Sequence, residues 1–477
     1  MAKKKRINLQ DLHITTYAAE GKCIGNMEDG KVVFVENVIP GDVADVRITK
    51  NKKNYAEGKM TRLVTPSPLR IEPFCEHFGV CGGCKWQMLP YEKQLEYKQQ
   101  QVSDQMRRIG HVELPEMETI SGSELQRFYR NKLEFTFSNK RYRTNDEIVE
   151  AGETELPHEQ GLGFHAPGLF DKVVPINFCH LQNEPTNKIR NLLRDYTTEN
   201  NLPYYDFRAH TGYMRNLMIR VTTTGEVLVN VVMNEDDEAT RTPMLNYLLA
   251  EVPEITTLCY TINRKWNDSI YDQEVITFFG NGFITEKLEN FTFNISPKSF
   301  FQTNTTQAEN LYRITREFAG LSGEEVLYDL YCGTGSIGIF CSQQAKKIIG
   351  IEVIEQAIED AKLNAAQNNI EHALFYAGDV SAICTDDFFA EHGKPDVIIT
   401  DPPRAGMSEK LVQQLLKMRA PKIVYVSCNP ATQARDLALL TVDYKITRMR
   451  PVDMFPHTHH IENVVLLELV ENELIKQ

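Results

Sequence analysis

A chain of 477 residues, 42% of them hydrophobic, is long enough for two to four domains with cores of their own. It has no apolar run of about 18 residues to cross a membrane, and its basic start (residues 1–6) is not followed by the apolar stretch of a secretory signal, so the cytoplasm is the expected location. A net charge of −13 excludes a uniformly basic nucleic-acid binder but not a local basic patch, and ten cysteines scattered along the chain are not a disulfide framework.

The first predicted unit spans residues 1–66. Short apolar stretches (Val32–Val35, Val43–Ile48) alternate with glycine turns, the pattern of an OB-like β-barrel. Lys50, Lys52, Lys53, Lys59 and Arg62 lie close together around Tyr55, a basic stretch that suits single-stranded nucleic acid. A solvated strand face is the plainer reading of such a run.

Residues 67–299 form the second unit, predicted as an antiparallel α+β domain. It opens on a segment without hydrophobic periodicity that carries Cys75, Cys81 and Cys84. Three thiols this close usually share a metal, and zinc with a fourth ligand is one candidate. A helix is predicted from Tyr91 to about Ile109; its glutamines suggest a largely exposed element. Strands are predicted at Lys132–Ser138, Leu217–Thr222 and Glu226–Met233, with helices near 184–198 and 239–251.

From residue 300 to 477 strand and helix signals alternate, as in a doubly wound α/β sheet of the Rossmann-like type. Strands are predicted at 326–330, 347–351, 373–376, 396–400 and 422–427, and two more near 443–450 and 462–470 close the domain. Ligands in such sheets bind beyond the carboxyl ends of the strands. There the chain places the turn Gly333-Thr-Gly335-Ser-Ile-Gly338, then Glu352, suited to ribose hydroxyls, then Asp379, suited to an adenine amino group. The glycine spacing alone also fits a nicotinamide cofactor. Asp401-Pro402-Pro403 at the fourth strand end favours S-adenosylmethionine. The next residue is Arg404, where amine-directed methyltransferases often carry a base-stacking aromatic.

Ser427-Cys428-Asn429-Pro430 follows the fifth strand. A cysteine beside a sulfonium cofactor is needed when the methyl acceptor is a poor nucleophile, as carbon 5 of a pyrimidine is. Thiolate addition at carbon 6 activates carbon 5, and a base must then remove the carbon 5 proton. Candidates for that base cluster at His457, His459, His460 and Glu462. A free thiol titrates near 8.5, so the site must favour thiolate, and Arg404 is the candidate cation.

Through Asp401-Pro-Pro-Arg404, Ser427-Cys-Asn-Pro430 and Phe455-Pro-His-Thr458 through Glu462, the chain resembles the bacterial RNA (uracil-5-)-methyltransferases, especially the branch that acts on 23S ribosomal RNA. The resemblance implies Cys428 as nucleophile, Glu462 as base, and cofactor contacts at Gln302, Tyr331, Glu352 and Asp401. A further contact, usually asparagine, falls on Ser336. Asp379 rests on position more than on motif. Gly21-Lys-Cys-Ile-Gly25 and Val38-Ile-Pro-Gly-Asp42 resemble a TRAM domain, an RNA-binding barrel. In the 23S-directed branch the cysteine spacing implies a [4Fe–4S] cluster on Cys75, Cys81, Cys84 and Cys179. The expectation is therefore 5-methyluridine formation in 23S rRNA, with no obligate protein partner implied. A tRNA or another rRNA uridine is the alternative substrate, and a catalytically inactive RNA-binding or assembly factor the alternative class.

Overall fold

A computed structural model describes residues 7–152 and 157–470; the basic run at residues 1–6 lies outside them. Five strands, β1 (Asn8–Tyr17), β2 (Cys23–Asn26), β3 (Val32–Glu36), β4 (Val43–Asn51) and β5 (Tyr55–Thr65), close into a barrel in the order β1-β2-β3-β5-β4. Alternation sets its interior: Val33, Val35, Val46 and Ala56 are buried inside, while Phe34 and Tyr55 stay partly exposed. The basic stretch is less free than its sequence suggests. Lys50 pairs with Glu57, Lys59 with Glu36 and Arg62 with Asp45.

The second sheet runs β12-β11-β10-β9-β6-β7-β8: β6 (Lys132–Ser138), β7 (Gly161–His165), β8 (Val173–Pro175), β9 (Met214–Val221), β10 (Val227–Met233), β11 (Thr257–Ile262) and β12 (Val275–Phe279). The pairing is antiparallel except between β10 and β11, which are parallel. The intervening Glu238–Glu251 helix supplies the crossover that a parallel pair requires. A hairpin of β13 (Ile284–Leu288) and β14 (Phe291–Ile295) leads into the third sheet's domain.

The third sheet has the order β17-β16-β15-β18-β19-β21-β20. Its strands are β15 (Val326–Leu330), β16 (Lys347–Glu352), β17 (Ala373–Ala377), β18 (Val397–Thr400), β19 (Lys422–Ser427), β20 (Tyr444–Val452) and β21 (Glu462–Leu469). The first five are parallel and apolar on both faces, as a sheet covered by helices on each side must be. β21 runs antiparallel to β19, so its first residue lies at the edge where the parallel strands end.

The Tyr91–Gln105 helix departs from the reading of a largely exposed element. Gln94, Lys98, Val102 and Met106 recur every four residues and are all buried. Two polar residues face inward because they meet polar groups of a distant loop. Lys98 Nζ donates to Asp453 Oδ1 at 2.6 Å and to the Phe455 carbonyl at 3.2 Å. Gln94 accepts from the His457 amide at 2.9 Å and donates to the Trp86 and Leu89 carbonyls. Tyr91 Oη reaches the other Asp453 oxygen at 2.9 Å. The Lys98–Asp453 pair is wholly buried. Removing one member of such a pair leaves an uncompensated charge, so Lys98→Met is expected to cost about 3–5 kcal/mol in chemical denaturation. Among the described residues no helix is long and apolar enough to cross a membrane.

Candidate active site

The register of the third sheet assembles the site. Ser427 of β19 stands opposite Asn463 of β21, so the next pair outward is Cys428 and Glu462. Leu330 of β15 lies beside Ile351 of β16 and Thr400 of β18, and Thr400 lies beside Tyr425 of β19. Tyr331, Glu352, Asp401 and Cys428 therefore share one sheet edge. Asp379, two residues past β17, lies at the same edge but is exposed and ion-paired with Lys410 at 3.7 Å.

The turn after β15 is built to leave room. Tyr331 adopts φ 62°, a left-handed conformation uncommon for a bulky residue. Gly333 has φ 53°, and a Cβ added there would meet nothing within 4 Å. Gly335, at φ 76°, is instead pressed against Phe375, which a Cβ would approach to 2.9 Å. Asp329 Oδ2 accepts from the Gly338 amide at 2.8 Å and braces the turn from below; burial pushes its carboxyl up to about 7. Glu352 accepts from the Ile354 amide at 3.1 Å, which orients its carboxylate toward the turn. Open space over Gly333 thus lies beside an oriented carboxylate, and Tyr331 and Asp401 share that edge. Ser336 begins the next helix, and its hydroxyl is 3.0 Å from Tyr312 Oη. Gln302 lies in the loop before the Thr305–Ala319 helix, where its carbonyl accepts from Asn131 at 2.8 Å; nearby Asn304 ties this loop to the Met454 carbonyl at 2.9 Å.

Asn429 explains the form of the nucleophile motif. Its Oδ1 accepts from Ala431 N at 3.2 Å, capping the Pro430–Leu440 helix, and Pro430 takes the first helical position, where no N–H is needed. Asn429 Nδ2 donates to the Arg404 carbonyl at 2.9 Å, locking the two motifs together. Cys428 is held between opposing influences. Burial, Glu462 and Asp401 push its thiol up to about 11, while Arg404 pulls it down. The helix N-terminus just behind it also favours negative charge.

Burial and the neighbouring Asp401 push the Glu462 carboxyl well above its usual range, and burial holds Asp401 at about 7. The histidines go the other way. Burial lowers His457 and His459 to about 4 and His460 to about 3. His460 Nδ1 is 2.7 Å from Arg404 Nη2 and so accepts from it; His457 Nδ1 faces Gln94 Nε2 at 3.1 Å. The carboxyl and the imidazoles of this cluster are thus shifted in opposite directions by the same burial, which disfavours the charged form of each.

With the thiol at about 11, each pH unit below that value costs about a tenfold loss of thiolate. The expected result is a kcat/KM that rises with pH from roughly 7 to 9 at a slope near one, read from a pH–rate profile.

The four candidate metal ligands meet around one cavity. Cys75, Cys81, Cys84 and Cys179 all line a space of 370 Å³ between the 67–90 segment and the second sheet. Burial pushes the Cys81 and Cys84 thiols up to about 12 and raises the other two. Gly83 N donates to Cys81 Sγ at 3.4 Å. Among the described residues no three His, Cys, Asp or Glu side chains converge closely enough to hold a metal ion, these four cysteines included.

Sequence reasoning missed the residues that hold the catalytic loop: Gln94, Lys98, Tyr91 and Asp453. Tyr129 Oη adds a bond to the Pro456 carbonyl at 3.0 Å, and the His457 carbonyl accepts from Lys85 and Trp86. None belongs to a motif, and their partners are hundreds of residues away.

This sheet, with a glycine turn at one strand end and a cysteine and a carboxylate at two others, is a methyltransferase fold. The sequence profile of the tRNA (Uracil-5-)-methyltransferase family matches residues 273–470, and that of the TRAM domain residues 4–61. An uncharacterized RNA methyltransferase of Bacteroides thetaiotaomicron is 53% identical over 95% of this chain and 100% of its own length. One from Porphyromonas gingivalis is 52% identical over 96% and 99%. Among solved structures, the Pyrococcus abyssi tRNA (uracil-54, C5)-methyltransferase, in complex with S-adenosyl-L-homocysteine, is 28% identical with a TM-score of 0.72, over 96% of this chain and 100% of that one. The chain belongs to the RNA methyltransferase family of the uracil-5 type, with an N-terminal TRAM domain.

Proposed function

We propose that the protein methylates carbon 5 of a uridine in RNA through a covalent adduct on Cys428. The observation that carries this reading is the β19–β21 register, which sets Cys428 against Glu462 beside the edge that holds the glycine turn. When bound over that turn, S-adenosylmethionine supplies an electrophilic methyl group. The Cys428 thiolate adds to carbon 6 of uracil, and the displaced electron pair makes carbon 5 nucleophilic. After carbon 5 has taken the methyl group, Glu462 removes its remaining proton. That electron pair re-forms the 5,6 double bond and expels the thiolate. Arg404, which lowers the Cys428 thiol, favours the charged nucleophile. The target base must leave its stack for carbon 6 to be reached from the ring face.

The substrate we propose is 23S rRNA, on the four-cysteine pattern shared with that branch. A tRNA substrate is the second reading, favoured by the Pyrococcus abyssi enzyme, whose similarity extends over 96% of this chain and so takes in the barrel. The barrel therefore does not discriminate between the two RNAs. The test offers labelled S-adenosylmethionine with unmodified 23S rRNA fragments and, separately, with tRNA. Label in 5-methyluridine from rRNA alone supports the first reading. Label from tRNA alone overturns it in favour of the second. Binding of both RNAs without label supports an inactive RNA-binding factor.

The four thiols are proposed to hold a [4Fe–4S] cluster, with a structural role, since the methyl transfer needs no electron. The support is their common cavity and the four-thiolate requirement of such clusters. Protein purified without oxygen is expected to carry about four irons and four sulfides per chain, and Cys81→Ser to lose them. Stoichiometric zinc in place of iron would overturn this assignment.

A further inference from the structure

A second cavity lies between the barrel and the Tyr91–Gln105 helix. It measures 270 Å³ and takes Tyr17, Phe34, Gln101, Gln105 and Arg108 among its lining residues. Of these side chains, Tyr17, Gln101 and Gln105 each carry a buried oxygen (Oη, Oε1 and Oε1) with no hydrogen-bond partner among the described residues. Unpaired buried polar atoms are costly, and a small rotation of these side chains toward the cavity would let a polar ligand there pair with them. The size lies just below the ~300 Å³ at which drug-sized ligand sites begin, the scale of a single planar ring system.

The surroundings suit RNA. Phe34 faces outward from the barrel and meets Tyr55 edge-on at 5.9 Å, and Lys50 sits over the Tyr55 ring at 5.6 Å. Aromatic faces interleaved with cations are the surface on which bases stack. Arg108, largely exposed, also lines the cavity, paired at 3.7 Å with Asp104. Ala18 and Ala19, on the wall, lead directly into Gly21, where an added Cβ would lie 3.4 Å from His459 Cβ. The segment on the cavity wall thus reaches the loop that leads into β21 and Glu462. An amide can both donate to and accept from a base edge, and Gln100, Gln101 and Gln105 line this cavity with the Phe34 and Tyr17 rings.

We propose that this cavity holds one unstacked nucleobase of the RNA substrate, other than the methylated uridine, and so helps select the site. The inference rests on the reading of the protein as an RNA enzyme and goes beyond it in assigning a second base site.

The test is an abasic scan along the RNA fragment that the protein binds, from 23S rRNA or tRNA, with the full-length protein. Dissociation constants are read by filter retention, separately from methylation, so the pocket is tested even if the proposed chemistry fails. The expected result is one abasic position, outside the target uridine, that weakens wild-type binding about tenfold, the usual scale for a stacked base. That position is expected to cost nothing further in Phe34→Ala. Gln101→Ala combined with Gln105→Ala is the second variant, should Phe34→Ala disturb the barrel. Equal losses for wild type and variants at every abasic position would overturn the proposal. An intact double-variant effect without any methylation would leave the base site standing and remove the catalytic reading alone.

Discussion

Replacing Cys428 with alanine is expected to reduce methylation by ~10⁴-fold or more, to the limit of detection, while cofactor binding is retained. Uracil carbon 5 has no other route to nucleophilicity in this site, because the thiolate supplies the electron pair that activates it. The cofactor candidates Tyr331, Glu352 and Asp401 lie at other strand ends, so the loss should fall on turnover. RNA carrying 5-fluorouridine makes the test sharper. Fluorine at carbon 5 cannot leave as a cation, so wild type should form a protein–RNA adduct that survives denaturing electrophoresis. Cys428→Ala should form none. An adduct that persists in this variant would place the nucleophile elsewhere.

Glu462→Gln should give the opposite signature. Addition and methylation can still occur, but the proton on carbon 5 then lacks its acceptor. Turnover is expected to fall about 10²–10⁴-fold, the usual contribution of a general base. The methylated adduct should accumulate, so labelled methyl becomes fixed to protein through the RNA. The side chain sits across from Cys428, and the three nearby histidines are held at about 3 to 4 by burial. If Glu462→Gln turned over normally and His460→Gln stalled instead, the base would be the imidazole.

The catalytic half was legible because its chemistry is local in sequence. Asp401-Pro-Pro-Arg404, Ser427-Cys-Asn-Pro430 and the Gly333–Gly338 turn each compress a strand end and a helix start into a few residues. Strand bounds in that half came within two residues of the structure, since buried parallel strands are unbroken apolar runs. The Tyr91–Gln105 helix was misread for the converse reason. Gln94 and Lys98 look solvent-facing, yet their partners His457 and Asp453 are 363 and 355 residues away. No local pattern reveals that an inward polar group is matched.

The sequence by itself therefore determined the alternation that makes a barrel and a doubly wound sheet, and the motifs that carry Cys428 and the four clustered thiols. Tertiary structure alone decided which groups meet. Antiparallel entry of β21 brings the start of one strand to the end of another, so Glu462 comes near Cys428 one step past the Ser427–Asn463 pair. Closure of the 67–90 segment against the second sheet brings Cys179 to the other three cysteines around one cavity. The reason is physical: side-chain chemistry is carried by each residue, whereas register and burial arise from pairings between segments that the chain holds far apart.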